Sequence, residues 1–113
     1  MEKETQMHAR TKASQISKSV KEAVHRRDKG RCLMCGAVVP VECSCCHFTS
    51  RARLGLGIEE NILTLCGKCH QLYDNGPNRK ENEERFRNYL KVKYPDWNEK
   101  RLVYSKWDWV EKG

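Results

Sequence analysis

The order of apolar and polar positions predicts a first helix near the start of the chain. Residues 1–13 are polar and follow no period, so we expect a mobile tail there. Ser14 can cap a helix over residues 15–28, in which an apolar residue at every fourth position forms a buried stripe. The stripe consists of Ile16, Val20 and Val24. The flanks and the exposed face carry four basic residues: Lys18, Lys21, Arg26 and Arg27.

Two short strands and a helix are predicted next. The pattern indicates an extended stretch over residues 41–49 and a second strand over residues 62–65. Residues 51–60 between them contain two glycines, which predicts a loop. A helix should then cover residues 67–74 and end at Gly76, which precedes a proline.

The C-terminal part is predicted to begin with a further helix, over residues 79–93, which Pro95 breaks. One face of this helix carries Phe86, Tyr89, Leu90 and Lys93. Three tryptophans follow without a clear period: Trp97, Trp107 and Trp109. We expect them to pack onto the core, and stacking on nucleic-acid bases is the alternative.

Length and composition limit the size of the core. The 113 residues correspond to one domain, and because only 38% are hydrophobic, an ordinary core would be small. A bound metal ion would offset that deficit, since the free energy of zinc binding becomes free energy of folding. We therefore expect one small zinc-stapled α+β domain over residues 14–113, with its core at residues 30–76 between the two flanking helices.

The seven cysteines favour a reducing compartment over a secreted disulfide framework. Their number is odd, and the first residues lack the apolar segment of a signal peptide. We therefore expect metal-bound thiolates in the cytoplasm. No apolar run approaches the length of a membrane-spanning helix, so no membrane partner is expected.

The net charge of +7 is concentrated near the N-terminus. Residues 1–31 hold nine Lys and Arg against four Asp and Glu. A basic helix fits a polyanionic partner, because a protein that neutralises phosphates releases their condensed counterions. A solvated, solubilising surface is the alternative, and charge alone does not decide between the two.

Two Cys-x-x-Cys pairs are the strongest chemical signal in the chain. They are formed by Cys32 with Cys35 and by Cys66 with Cys69. The gap of two residues lets a tight turn direct both sulfurs at one ion, and two such pairs supply the tetrahedral set of thiolates that Zn²⁺ accepts. The segment between the pairs is longer than in common zinc ribbons, so we expect the function to lie in that insert.

Residues 32–74 resemble the HNH endonucleases. Besides the cysteine pairs, the resemblance rests on Cys46-His47 at the end of the first predicted strand, Asn61 before the second, and His70 directly after the last cysteine. It implies a ββα-metal fold in which His47, Asn61 and His70 correspond to the three letters of the family name. Residues 54–61 and 94–97 more weakly resemble small HNH proteins of phages and prophages, which implies a bacterial or phage-infected host cell.

The resemblance implies catalytic roles. Hydrolysis of a phosphodiester needs a base to deprotonate water, and a histidine titrates in the right range. His47 is the implied base, and Asn61 is implied to tether the loop so that His47 faces the scissile phosphate. Alone, the histidine would more often be structural or a zinc ligand, and the asparagine a turn residue. Four thiolates, however, already complete a zinc sphere.

His70 and Asp74 are predicted to hold a catalytic divalent ion. They stand at i and i+4, on one face of the predicted helix. Alternatively, Asp74 is only a residue of the last helical turn. The family commonly has a further ligand before the base, where this chain has Cys46. A thiol is a poor ligand for Mg²⁺, so either water takes its place or a softer ion is preferred, and Mg²⁺, Mn²⁺, Ni²⁺ and Zn²⁺ stay candidates. Cys43 and Cys45 are expected to be packed thiols.

The expected partner is DNA. Arg51 and Arg53 follow the implied base, and guanidinium groups suit bidentate phosphate binding, so both are predicted contacts beside the basic residues of the first helix. We expect a metal-dependent HNH endonuclease that cuts DNA with a single ion. The alternatives are a non-catalytic zinc-ribbon protein that binds nucleic acid and a zinc-stapled adaptor for other proteins.

Overall fold

The computed structural model describes residues 13–104. The predicted mobile tail, residues 1–13, lies outside the described part except for its last residue. Trp107 and Trp109 also lie outside it. Three α-helices and one antiparallel pair of strands lie wholly within it, which confirms the α+β class. In chain order they are α1 (Lys18–Arg27), β1 (Cys46–His47), β2 (Ile62–Leu63), α2 (Gly67–Asn75) and α3 (Arg79–Lys93). No helix of residues 13–104 has the length and hydropathy to cross a membrane.

Helix α1 begins later than predicted because Ser17, and not Ser14, caps it. The Ser17 hydroxyl oxygen accepts a hydrogen bond from the Val20 N–H at 3.2 Å. Three basic residues of the last turn complement the helix dipole. Of the predicted stripe, Val24 is fully buried, Val20 is half-buried, and Ile16 lies before the helix. Ser14 is itself buried, away from the start of α1.

The predicted strand over residues 41–49 is mostly wrong. Its first part, Val41–Cys43, forms a 3₁₀ turn, in which the Cys43 N–H donates to Pro40 O at 3.0 Å. Only β1 is extended and paired, with Cys46 opposite Leu63 and His47 opposite Ile62. Local backbone hydrogen bonds thus replace a sheet ladder before β1.

The segment between the strands is more ordered than a plain loop. It contains two 3₁₀ turns, Arg51–Arg53 and Glu59–Asn61. Strand β2 is two residues shorter than predicted, because the Thr64 N–H donates to an Asp28 carboxylate oxygen at 3.1 Å instead of to a strand. Helices α2 and α3 closely match the predicted ranges, and α2 ends at Gly76 as expected.

A small core joins the strands to both C-terminal helices. Tyr73 of α2 and Phe86 of α3 meet edge to face, with ring centroids 5.3 Å apart. Trp97 packs against Phe48 at 5.7 Å and donates its indole N–H to Glu60 O, so this tryptophan packs on the core as predicted. The largest fully buried aliphatic side chains are those of Ile62, Leu63, Leu65, Leu90 and Leu102.

The surroundings of Arg27 do not agree with its predicted contact with DNA. Its guanidinium forms two hydrogen bonds with the Asp28 carboxylate and donates to the backbone oxygens of Glu59 and Ile62 at 2.9 and 2.7 Å. The side chain is only 9% exposed. Tyr89 also donates to Asp28. Arg27 therefore ties α1 to the second strand and to α3, and its donors are not available to phosphates.

Candidate metal centres and the cleft beside them

The structure brings the four cysteines of the two Cys-x-x-Cys pairs together. The sulfurs of Cys32, Cys35, Cys66 and Cys69 all lie within 4.8 Å of one another. Cys35 Sγ lies 3.8 Å from Cys66 Sγ. Two sulfurs bound to a tetrahedral zinc, each roughly 2.3 Å from the ion, are also about 3.8 Å apart. The cluster can therefore bind a metal ion such as zinc.

The electrostatics of this cluster also fit a cation. Burial raises the pKa of Cys32, but hydrogen bonds from backbone N–H groups outweigh it and lower the pKa to about 6. Burial and the adjacent sulfurs raise the pKa of Cys69 far above its ordinary value. Thiols packed this closely cannot all ionise on their own, whereas a bound cation removes the repulsion between thiolates.

A cleft of about 850 Å³ lies beside the strands. It is lined by His47 of β1, by His70 and Asp74 of α2, and by Arg51 and Arg53 of the first 3₁₀ turn between the strands. These five residues were all predicted as site residues, and they come from three separate elements. Further lining residues are Ser14, Lys21, Cys45, Arg79 and Glu83.

His47 is held by a backbone oxygen. Its Nε2 lies 2.9 Å from Ser14 O. A carbonyl can only accept a hydrogen bond, so Nε2 carries the proton and Nδ1 keeps a free electron pair. Burial lowers the pKa of His47, and although the bond to Ser14 opposes this, the charges of Arg51 and His70 lower the pKa further. The imidazole is therefore neutral at neutral pH and can accept a proton at Nδ1.

Asn61 braces the loop that follows β1. Its Oδ1 accepts from the Thr49 N–H at 2.7 Å, and its Nδ2 donates to Thr49 O and Leu56 O at 3.1 and 2.8 Å. The side chain is fully buried. Asn61 thus ties Thr49, two residues beyond His47, to the residues preceding β2, and its role in directing His47 at a phosphate stays a prediction.

Asn61→Asp should destabilise the protein strongly. The new carboxylate oxygen would face two carbonyl oxygens in place of an N–H donor, so we expect the free energy of unfolding to fall on the order of 3 kcal/mol. Asn88→Asp, on the exposed surface of α3, is the matched control. Urea denaturation of both variants measures the effect. Equal stability of the two would contradict the bracing role.

A second group of possible metal ligands lies at the cleft. One ligand atom each from Cys46, His70 and Asp74 lies within 4.8 Å of the other two. His70 Nε2 is 3.2 Å from an Asp74 carboxylate oxygen. Burial raises the pKa of Cys46 well above its ordinary value, and the negative charge of Asp74 raises it further. This thiol is therefore protonated unless a cation displaces the proton. A set of sulfur, nitrogen and oxygen donors fits a borderline or soft divalent ion better than Mg²⁺.

The basic residues divide between the cleft and other surfaces. Arg51 and Arg53 are exposed at the cleft, and Lys21 also lines it. Lys18 lies with Lys21 at a separate shallow hollow, and Arg26 is exposed. Three predicted contacts of α1 are thus accessible to a polyanion, in contrast to Arg27.

The prediction from sequence missed Arg79, a residue that shapes the cleft. Its guanidinium lies 4.1 Å from the centre of the Tyr73 ring, donates to Tyr73 O, and is 3.8 Å from the Asp74 carboxylate. It also pairs with Glu83 at 2.9 Å. One feature of the sequence could have indicated it. The connection between α2 and α3 is short, so the first residue of α3, Arg79, must lie close to the end of α2.

The other two thiols differ in their surroundings. Cys45 lines the cleft, next to the second ligand group but outside it. Cys43 belongs to the 3₁₀ turn before β1, and its pKa is raised by burial and then by the negative charge of Cys66. Both thiols are partly buried.

Comparison of the chain with family models, with curated proteins and with solved structures gave no match.

Proposed function

We propose that the protein is a metal-dependent HNH endonuclease that hydrolyses DNA phosphodiester bonds, with a structural zinc at the four cysteines. The observation that supports it most is the shared cleft of His47, His70, Asp74 and Arg51. A base, an ion site and a phosphate-binding cation are the three parts that hydrolysis of a phosphodiester needs. The ββα arrangement of β1, β2 and α2 is the part of the fold that carries them.

His47 acts as the general base in this proposal. Its Nδ1 has the free electron pair, and the neutral ring takes a proton from the attacking water. Asn61 holds the loop after β1 in place during this step. Arg51 binds the phosphate through its remaining N–H donors, since its Nε already donates to the Ser14 hydroxyl.

His70 and Asp74, with Cys46, would hold the catalytic ion. One donor atom of each residue already lies within 4.8 Å of the other two, so one ion could contact all three. When bound, a divalent ion supplies positive charge that stabilises the leaving oxygen. The neighbouring Arg79 adds a further positive charge at 3.8 Å from Asp74.

Supercoiled plasmid tests the function directly. The pure protein is incubated with plasmid and Mg²⁺, Mn²⁺, Ni²⁺ or Zn²⁺ in turn, and nicked and linear products are separated on a gel. We expect cutting with at least one of the ions and none with an excess of chelator. A protein that binds the plasmid and cuts it with none of the four ions contradicts the proposal.

Cys46→Ser should weaken the catalytic ion site selectively. Loss of a residue that hydrogen-bonds to a metal ligand lowers metal affinity roughly 10–100-fold. Loss of a ligand itself should lower the affinity for the ion by at least that factor. Titration of Co²⁺ into zinc-loaded protein measures this, because a thiolate ligand adds a charge-transfer band. The matched control is Cys45→Ser, a cleft thiol outside the ligand group. A wild type without this band, or an affinity that Cys46→Ser leaves unchanged, would mean that water, not sulfur, completes the site.

Neutral substitutions on α1 should reduce the salt dependence of DNA binding. We expect the triple replacement of Lys18, Lys21 and Arg26 by Gln to weaken binding to all sequences. The slope of log affinity against log salt should become shallower by up to about 0.9 for each phosphate that is no longer neutralised. The control replaces three exposed lysines that do not line the cleft: Lys80, Lys91 and Lys100. Equal slopes for the two triple variants would mean that the charge of α1 only aids solubility.

A non-catalytic zinc-ribbon protein that binds nucleic acid is the second candidate. Cys46 favours it, because a thiol stands where a Mg²⁺-dependent nuclease needs an oxygen or nitrogen donor. This candidate keeps the four-cysteine centre and the basic residues of the cleft. It predicts salt-sensitive affinity for DNA with no hydrolysis by any divalent ion.

A further inference from the structure

Residues 13–16, here called the N-terminal strap, include three residues that line the cleft, and the strap is hydrogen-bonded to His47, Arg51 and Gly57. Ser14 O accepts the Nε2–H of His47 at 2.9 Å, and the Ser14 hydroxyl accepts from Arg51 Nε at 3.1 Å. Ala13 O accepts from the Gly57 N–H at 3.0 Å. Ser14 is only 5% exposed. The strap therefore contacts both the implied base and the implied phosphate-binding residue.

The strap passes close to the backbone of Gly57, between the two strands of the sheet in chain order. A Cβ at Gly57 would lie 2.0 Å from Gln15 O and 2.9 Å from Ser14 O. Both atoms belong to the backbone, so a side chain at Gly57 would have to displace the strap itself. Only glycine at this position allows the strap to lie where its carbonyl reaches His47.

We propose that the N-terminal strap is a positioning element of the active site, which fixes the orientation and tautomer of His47 and orients Arg51 at the same time. This inference rests on the proposed endonuclease function. Because Ser14 O can only accept a hydrogen bond, it holds the ring proton on Nε2 and leaves the electron pair on Nδ1. One residue outside the ββα unit thus aligns two groups within it.

Gly57→Ala tests the strap without altering any group that contacts substrate. The added methyl group displaces the strap, so we expect plasmid cutting to fall about 100-fold, the cost of misplacing a reacting group by roughly 1 Å. Zinc content should stay at the wild-type value, because the four cysteines lie elsewhere. Asn88→Ala on the exposed surface of α3 is the control, since Asn88 lies outside the strap, the cleft lining and both groups of possible metal ligands. Its cutting should equal that of the wild type.

Nuclear magnetic resonance of the histidine ring distinguishes positioning from a merely structural role. In the wild type at neutral pH we expect a slowly exchanging Nε2–H proton on His47 and a slowly exchanging Gly57 amide proton. In Gly57→Ala both the ring proton and the amide proton of residue 57 should exchange rapidly while the zinc centre stays intact. These signals need neither DNA nor cutting.

Each outcome of the two measurements decides the proposal. A wild-type protein without a protected Nε2–H on His47 overturns it, even if Gly57→Ala does not fold. A protected proton that persists in Gly57→Ala, or one that disappears while cutting is unchanged, overturns it as well. If the proton is present in the wild type and absent in Gly57→Ala but wild-type protein cuts no DNA, the strap does hold His47 and the endonuclease function is what fails.

Discussion

His47→Ala should abolish most plasmid cutting while leaving the fold and DNA affinity intact. The substitution removes the proposed general base, and general acid–base catalysis contributes about 10²–10⁴-fold, so the cutting rate should fall by that factor. The four-cysteine cluster and the group of Cys46, His70 and Asp74 are unchanged by it. Single-turnover cleavage, together with DNA affinity measured without divalent ions, checks the two parts of the expectation.

His70→Ala should also stop cutting, but for a different reason. It removes a donor from the ion site, so a higher concentration of divalent ion should restore part of the activity. No concentration of ion should restore His47→Ala. The comparison of the two metal titrations therefore separates the base from the ligand.

Two results would contradict these roles. Substantial cutting by His47→Ala would mean that another group deprotonates the water. Identical metal responses of the two variants would mean that His70 does not hold the ion. If the wild type cuts nothing and both variants bind DNA as it does, the nucleic-acid-binding candidate replaces the nuclease.

Local rules were sufficient to predict helices α2 and α3. The glycine–proline pair after α2 and Pro95 after α3 are strong helix stops. The pairing of Cys66 and Cys69 with the earlier cysteines was also predictable, because metal chemistry requires all four thiols together. The helices depend on residues that are close in sequence, and the cluster depends on the cysteine side chain alone, so both can be read from the sequence.

Long-range partners decided the features that the sequence did not reveal. The sequence predicted Arg27 as a surface residue of a basic helix. Its guanidinium instead donates hydrogen bonds to backbone oxygens more than 30 positions away and to the adjacent Asp28. The orientation of His47 depends on a backbone carbonyl of Ser14, which any residue type could supply. Val41–Cys43 forms a 3₁₀ turn and not the predicted strand, because no strand of the described chain lies beside it to pair with. Such effects follow from tertiary contacts and have no local pattern.

Replacement of one cysteine of the four-sulfur cluster should unfold much of the protein. Structural zinc sites contribute about 10–16 kcal/mol of binding free energy, which is as large as the total stability of about 5–15 kcal/mol of ordinary domains. The core is small, and the cluster joins the segment before β1 to the start of α2. Cys66→Ser should therefore abolish cooperative thermal unfolding, and a strong chelator should do the same to the wild type.

Cys43→Ser is the matched control for the zinc centre. This thiol lies close enough to the cluster for the charge of Cys66 to raise its pKa, but it is outside the four-sulfur set. Its variant should keep one zinc per chain by elemental analysis and a melting temperature near that of the wild type, whereas Cys66→Ser should keep neither. Wild-type protein that is purified under reducing conditions without zinc, and still melts cooperatively, would show that the small core is stable on its own. The ββα cleft would then need no metal to hold its shape, and the cysteine cluster would require another explanation.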